Sequence, residues 1–197
     1  MNILKKLVPN SGSRNGNTPK FIVIHTAMGN RLQVHSTFMN EPKSSHYLCN
    51  SDGSVWQFCE ESNSAWHAGI LVRPTATILR QYPFINCNLI SIGIENEGDD
   101  KNDIPDIQYQ RNAELVADIC ERYEIPCDRI HIINHREING AKTCPGKISV
   151  DRIIRMAQKI REDRTRQLSP EEENYYMGII KDLMQKILSI LKSRLNH

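Results

Sequence analysis

The sequence carries little net charge and no long apolar run. Its 25 lysines and arginines nearly balance its 23 aspartates and glutamates, which leaves a formal charge of +2. A nucleic-acid-binding domain concentrates basic residues on one face, so this balance gives no indication of a nucleic-acid partner. No stretch approaches the roughly 20 consecutive apolar residues of a transmembrane helix. With 39% hydrophobic and 24% charged residues, the composition is that of a soluble globular protein.

The N-terminal segment lacks the apolar run of about 7 to 15 residues that a secretory signal peptide requires. We therefore expect synthesis in the cytoplasm, where thiols stay reduced and disulfides are rare. Most of the six cysteines lie in apolar stretches and are expected to pack as small hydrophobic side chains. Cys144 differs, because the sequence Lys-Thr-Cys-Pro-Gly places it in a loop among turn-forming residues.

A chain of 197 residues has the size of one domain with a small addition. Residues 10–19 are rich in Ser, Asn and Gly, so we interpret residues 1–19 as a lead-in segment without a core of its own. Residues 20–162 are predicted to form the main domain. Residues 163–197 are predicted to form a charged linker and a helix.

Apolar runs that end on a polar residue predict buried strands in the main domain. They cover 21–24, 90–95 and 129–134, and they lead to His25, Glu95 and His135. Two further strands, at 46–50 and 54–59, flank a Ser-Asp-Gly turn and are expected to pair as antiparallel neighbours.

Helical patterns alternate with these strands. Apolar residues recur at helical spacing over 31–38, 106–123 and 150–161. Strands that alternate with helices predict an α/β fold, with a central sheet flanked by helices.

The C-terminal segment predicts one more helix. Ser169-Pro170-Glu171-Glu172 matches a capping box with proline at the first helical position. The apolar residues that follow fall on one side, so the helix is amphipathic. It has three alternative roles: packing on the main domain, pairing with its copy in a homo-oligomer, or binding the anionic cell envelope through its lysines. The first two are the simpler alternatives.

His25, His135 and Cys144 form the sharpest candidate cluster. Each residue follows a strand or lies in a turn, and imidazole and thiolate groups are ligands that Zn²⁺ prefers. Three protein ligands leave one position open for water, as in catalytic zinc sites. The three residues lie far apart in the sequence, so spacing alone favours a structural role for each histidine.

Six motifs in a fixed order change this balance. Together they resemble the N-acetylmuramoyl-L-alanine amidase type 2 family, which includes phage lysins, bacterial amidases and peptidoglycan recognition proteins. The resemblance covers residues 20–161 and implies a central mixed β-sheet flanked by helices. The motifs are Phe-Ile-Val-Ile-His25-Thr, Ser-Ser-His46-Tyr-Leu, Asp52-Gly-Ser-Val, Ala-Trp66-His67-Ala-Gly, Ser91-Ile-Gly-Ile-Glu95, and Asn-His135-Arg-Glu-Ile with Lys142-Thr-Cys144-Pro-Gly.

The resemblance implies that His25, His135 and Cys144 bind one catalytic zinc ion. Some family members have aspartate at the position of Cys144. Members that only bind peptidoglycan typically lack this thiol, so Cys144 favours an active enzyme.

The resemblance also implies two catalytic residues. Glu95 matches a glutamate of the cytosolic anhydromuropeptide amidases, where a carboxylate can take up the proton of the attacking water and return it to the leaving amine. Its alternative is a solvated carboxylate at a strand end, with Glu97 as the fallback because it faces the same side. Lys142 matches a lysine of related lysins, whose ammonium group can stabilise the oxyanion. Its alternative is an ordinary surface charge.

One motif departs from the family. Many members have a catalytic tyrosine just before the position of His46, where this sequence has Ser45. Tyr47 should face away from His46, so we do not transfer the role to it and expect Glu95 to carry the acid–base chemistry. His67 resembles a groove-lining residue that contacts substrate; its alternative is a loop histidine bonded to the backbone.

Other ring side chains near these motifs are expected to be structural. We interpret Trp66 as a core residue rather than a sugar platform. His35 and His46 are interpreted as structural residues.

The function implied by the resemblance is hydrolysis of the amide bond between N-acetylmuramic acid and L-alanine, with peptidoglycan or a muropeptide as substrate. Cys144 and the extra helix favour a phage-type endolysin, which acts on the cell wall after release from the cytoplasm. The pattern of Ser45 and Glu95 favours a cytosolic recycling amidase. The third alternative is a peptidoglycan-binding module without catalysis.

Overall fold

The computed structural model describes residues 2–166 and 170–195. The chain divides into two units, Met1–Ile160 and Arg161–His197. The strands are β1 (Ile3–Lys5), β2 (Ser11–Ser13), β3 (Phe21–Ile24), β4 (Ala27–Met28), β5 (Tyr47–Cys49), β6 (Val55–Gln57), β7 (Asn63–Ala65), β8 (Ser91–Gly98) and β9 (Ile132–Asn134). The α-helices are α1 (Arg31–Asn40), α2 (Cys87–Ile90), α3 (Asp106–Tyr123), α4 (Val150–Arg166) and α5 (Pro170–Leu195).

One seven-stranded sheet organises the first unit. Its strand order is β1-β6-β5-β8-β3-β9, and β4 pairs with β8 beside this path. Strands β5, β8, β3 and β9 run parallel to one another, whereas β5 and β6 form the antiparallel hairpin that the Ser-Asp-Gly turn predicts. The sheet is therefore mixed, as expected for the α/β fold class.

Strand β3 is buried on both faces. Ile22 and Ile24 belong to the large core cluster that also contains residues of α3 and α4, while Phe21 and Val23 belong to a second cluster. All four side chains are fully shielded from solvent, and burial of each contributes roughly 1.5 to 3 kcal/mol. A central parallel strand covered on both sides reads as a continuous apolar run, which is why the sequence identified it.

The fold begins earlier than the predicted boundary at Lys20. Strand β1 pairs with β6, and β2 pairs with β7. Arg14 is buried and donates hydrogen bonds to the backbone oxygens of Glu61, Leu89 and Ser91. Residues before Lys20 are therefore part of the main fold, and its start differs from the prediction. Strands of three residues are too short to show a hydrophobic period, and a buried arginine gives no apolar signal.

Two strand boundaries also differ from the sequence prediction. Ile90 ends the short helix α2, so its strand begins at Ser91. Residues 129–131 precede β9, because the Asp128 carboxylate accepts hydrogen bonds from the backbone N–H groups of Ile130 and His131. Such a local side-chain bond competes with strand pairing. Helix α3, by contrast, has the predicted bounds.

Helix α5 begins at Pro170, where the sequence predicts a helix start. The capping residue of that prediction, Ser169, lies outside the described residues. Between Tyr175 and Leu188, its large apolar side chains are 40% to 66% exposed. No helix within residues 2–166 and 170–195 combines the length and apolar character that crossing a bilayer requires.

Candidate active site

The strand order brings three candidate residues to one edge of the sheet. His25 directly follows β3, and His135 directly follows its parallel neighbour β9. Glu95 lies in β8, the neighbour of β3 on the other side. The carboxyl ends of parallel strands share one edge of a sheet, which is a common place for ligand sites in α/β folds.

The two histidines and Cys144 turn their donor atoms toward one point. The Nδ1 atoms of His25 and His135 lie 3.1 Å apart, and the Sγ atom of Cys144 lies 3.8 Å from His25 Nδ1. All three donor atoms lie within 4.8 Å of one another. A single tetrahedral ion with bonds of about 2.0 to 2.3 Å spans such distances, and two imidazoles with one thiolate suit Zn²⁺. The residues present therefore fit a zinc ion.

The loop that carries Cys144 is fixed against the end of β3. The Thr26 backbone N–H donates to Cys144 Sγ at 3.3 Å, and the Thr26 hydroxyl donates to the Pro145 carbonyl at 2.8 Å. Burial, together with the nearby Glu95 carboxylate, raises the pKa of the Cys144 thiol to about 12. A cation at this point has the opposite effect, because it favours the thiolate.

Glu95 presents a carboxylate that its surroundings leave unsatisfied. Its Oε2 atom is buried, and no described residue forms a hydrogen bond with it. Burial raises the pKa of Glu95 to about 8, and the positive charge of Lys43 opposes this rise. A buried carboxylate oxygen without a hydrogen-bond partner is costly, and such a group with a raised pKa in a cavity is typical of functional sites.

Glu97, the fallback for this role, is fully engaged elsewhere. Its carboxylate accepts hydrogen bonds from the backbone N–H groups of Arg31 and Ser51 and from the Ser51 hydroxyl. Burial alone would raise the pKa of Glu97, but these hydrogen bonds and Arg31 lower it overall. Glu97 therefore holds the start of α1 to the β5–β6 turn.

A cavity of about 480 Å³ encloses this cluster. Lys142 lines it and is exposed, and no carboxylate within residues 2–166 and 170–195 forms an ion pair with it. Lys43 also lines it and forms an ion pair with Glu41 at 2.8 Å. No sequence motif points to Lys43, which lies in an irregular loop. The cavity thus offers two ammonium groups beside the carboxylates of Glu95 and Asp100.

His67 lines the cavity next to His25, with most of its side chain buried. Only 8% of it is exposed, and its Nδ1 atom is 3.1 Å from His25 Nε2. Its Nε2 atom is 3.1 Å from the Ser91 hydroxyl. Both ring nitrogens have partners within the protein, and the substrate-binding role of His67 stays a prediction.

A family model described as N-acetylmuramoyl-L-alanine amidase matches residues 15–147. This match covers most of the chain and includes every candidate site residue. The chain belongs to this family. One similar protein is the 1,6-anhydro-N-acetylmuramyl-L-alanine amidase AmpD of Escherichia coli, with 36% identity over 105 residues, 52% of this chain and 51% of AmpD. The chain thus spans about half the length of the curated relatives it matches.

Solved structures of amidases share the fold. A crystal structure of a selenomethionine derivative of AmpD superposes with a TM-score of 0.65 at 23% identity, covering 78% of this chain and 93% of that one. The Ph2119 endolysin from a Thermus scotoductus bacteriophage has a TM-score of 0.56 at 22% identity, with coverage of 79% and 99%. At this identity, both comparisons bear on the fold alone.

The departure of this sequence from the family at Ser45 is visible in the structure. Ser45 is buried, and its hydroxyl donates to the Tyr47 carbonyl. The Tyr47 hydroxyl donates to Glu61 at 2.7 Å, away from the metal-ligand candidates. Neither residue offers a hydroxyl group to the cavity, in agreement with the decision not to assign the family's tyrosine role here.

The ring side chains around the candidate site have mixed roles. His46 is buried and bonds to Arg14 and to the Gly93 backbone, and His35 packs against Trp56 and Phe58, so both are structural as predicted. The interpretation of Trp66 as a core residue is wrong. Trp66 is 41% exposed and lines the cavity.

Proposed function

We propose that this protein is a zinc-dependent hydrolase of the amide bond between N-acetylmuramic acid and L-alanine. The observation that carries the proposal is the convergence of three candidate zinc-ligand atoms with the Glu95 carboxylate, whose buried Oε2 atom has no hydrogen-bond partner among the described residues, in one cavity. His25, His135 and Cys144 would hold the ion. When bound, Zn²⁺ polarises an amide carbonyl and lowers the pKa of water toward neutrality.

The side chains around the ion position supply the remaining chemistry. The charge of a bound ion would favour the ionised form of Glu95. The Glu95 carboxylate then accepts a proton from the attacking water and passes it to the nitrogen of L-alanine as the carbon–nitrogen bond breaks. The Lys142 ammonium group donates a hydrogen bond to the carbonyl oxygen as it becomes negative. The products are a muramic-acid carboxylate and a stem peptide with a free amino terminus.

Hydrolysis of purified peptidoglycan by wild type and by Cys144→Ser tests this proposal. We expect wild type to bind about one zinc ion and to release L-alanine amino termini, and Cys144→Ser to lose both properties. Cys127→Ser is the matched control, because Cys127 is a buried cysteine of the large core cluster. Wild type that binds wall material with zinc supplied but releases no amine would instead be a binding module.

For the biological setting we propose an endolysin-type enzyme that acts on the cell wall. The thiol ligand Cys144 and the additional helix α5 support it. A recycling amidase is the second candidate, because relatives such as the Escherichia coli AmpD carry the name of an anhydromuropeptide amidase. Rates on intact cell walls and on soluble anhydromuropeptides distinguish the two settings, since an endolysin should be faster on the walls.

For helix α5 we propose self-association with a second copy. Ile180, Leu183 and Ile187 are exposed and are spaced by three and four residues, as in the seam of a coiled coil. Light scattering after size exclusion should show a dimer or larger species, which Leu183→Glu with Ile187→Glu should convert to a monomer. A monomeric wild type that binds anionic vesicles would replace this proposal with a membrane contact.

A further inference from the structure

A chain of hydrogen bonds runs from the candidate ligand His25 into the protein interior. His25 Nε2 lies 3.1 Å from His67 Nδ1, and His67 Nε2 lies 3.1 Å from the Ser91 Oγ atom. The Ser91 hydroxyl donates to the Cys87 carbonyl at 2.6 Å. His25, His67 and Ser91 are all buried, so water does not replace these partners.

The carbonyl at the end of the chain determines where each proton lies. A carbonyl only accepts, so the single hydroxyl proton of Ser91 points to Cys87. The Ser91 oxygen must then accept a proton from His67 Nε2. His67 is buried and its two ring nitrogens face an imidazole and a hydroxyl group rather than a carboxylate, so a neutral ring with a single proton on Nε2 satisfies both contacts and leaves Nδ1 without a proton. His67 Nδ1 therefore accepts from His25 Nε2, which leaves the His25 Nδ1 lone pair facing Cys144 and His135.

The backbone beside His67 orients the second histidine in the same way. The Ala68 carbonyl lies 3.2 Å from His135 Nε2, which therefore carries the proton and leaves Nδ1 unprotonated. Asn88 holds this segment by accepting hydrogen bonds from the backbone N–H groups of His67 and Ala68. One segment thus directs both histidines toward the same point.

The ring of His67 packs closely against Gly93. A Cβ atom on Gly93 would lie 2.5 Å from His67 Cγ and 2.7 Å from Nδ1. Gly93 is in strand β8, two residues before Glu95. The absence of a side chain at Gly93 is therefore what allows His67 to lie next to His25.

We propose that His67 and Ser91 are positioning residues that preset the tautomer of His25, so that Nδ1 rather than Nε2 is its metal donor. This inference rests on the proposed zinc function. Outer partners of metal-bound histidines typically orient the ring and change metal affinity 10- to 100-fold. Here the outer partner is itself a histidine, and its own tautomer is set by a serine and a backbone carbonyl.

The first test is the protonation pattern of the imidazole nitrogens by ¹⁵N NMR of the wild type, with and without zinc. We expect His25 and His67 to carry their protons on Nε2 in both forms. A proton on His25 Nδ1 in the neutral, metal-free protein would overturn the preset tautomer. This measurement does not depend on the Ser91 variants folding.

The second test is zinc affinity by competition with a chelator. We expect Ser91→Ala to bind zinc at least tenfold more weakly and to show a mixture of His67 tautomers. Ser45→Ala is the matched control, since Ser45 is also buried and also donates to a backbone carbonyl. Equal affinity of wild type and Ser91→Ala would overturn the inference. If wild type shows the expected tautomers but does not bind zinc, the hydrogen-bond chain from His25 to Ser91 is supported and the proposed zinc function is contradicted.

Discussion

The Nδ1 atoms of His25 and His135 face each other at 3.1 Å, although 110 residues separate them in the chain. Each ring bonds through its Nε2 atom, His25 to His67 and His135 to the Ala68 carbonyl. Two unprotonated nitrogens this close repel each other. Burial and the proximity of His135 lower the pKa of His25 well below its usual value, so a proton does not readily relieve the repulsion. A metal ion does.

Removal of zinc should therefore destabilise the protein markedly. Zinc at 1,000 times its dissociation constant adds about 4 kcal/mol to the free energy of unfolding when only the folded state binds it. We expect a higher thermal midpoint in excess zinc than in chelator. His135→Ala should lose most of this difference, and an equal zinc effect in wild type and variant would contradict the proposed ligand set.

Glu95→Gln should separate metal binding from catalysis. Glutamine keeps the size of the side chain but cannot take up a proton from water, and general acid–base catalysis typically contributes 10²- to 10⁴-fold. We expect kcat to fall by at least about 100-fold with zinc content unchanged. Glu97→Gln is a poor control, because the Glu97 carboxylate holds Ser51 and Arg31. The exposed Glu121→Gln is a better one. A variant that keeps most of its activity would exclude Glu95 as the proton carrier.

The same substitution should change how stability depends on pH in the metal-free protein. The pKa of Glu95 is about 8 in the folded state, against about 4.3 in an unfolded chain. The folded state keeps a proton that the unfolded state releases between these values, so wild-type stability falls as pH rises through this window. Glu95→Gln should match wild type near pH 4 and be more stable at pH 8 by roughly 1 to 3 kcal/mol. Urea unfolding in the presence of a chelator measures the difference. If the free energies of unfolding of the two proteins differed by the same amount from pH 4 to pH 8, the raised pKa of Glu95 would be refuted.

The residues that sequence analysis identified share a clear chemical signal. His25, Glu95 and His135 each stand in or directly after an apolar strand, and β3 and α3 have strong hydrophobic periods. The order β8-β3-β9, which brings the three residues together, depends on contacts between distant segments that no local pattern records.

The surroundings of Arg14, Ser91 and Trp66 could not be predicted from the sequence. Arg14 is buried by its hydrogen bonds to three backbone carbonyls, so its burial depends on the tertiary structure alone. Ser91 looked like an ordinary strand residue, yet its hydroxyl bonds to His67. The local sequence Ala-Trp66-His does not distinguish a tryptophan in the core from one that lines a cavity.

Lys142→Ala should reduce catalysis without reducing the zinc content. The ammonium group lines the cavity near Cys144 and His135, and its charge lowers the pKa of both residues as a minor contribution beside burial. Loss of one donor to a developing oxyanion typically costs about 10² to 10³ in kcat. Lys147→Ala, at an exposed lysine five residues further along the same loop, should leave kcat within twofold. Lys142→Arg keeps the charge but changes the shape of the donor, so partial recovery is expected if charge dominates. If Lys142→Ala raised KM alone, the ammonium group would bind substrate in the ground state rather than stabilise the transition state.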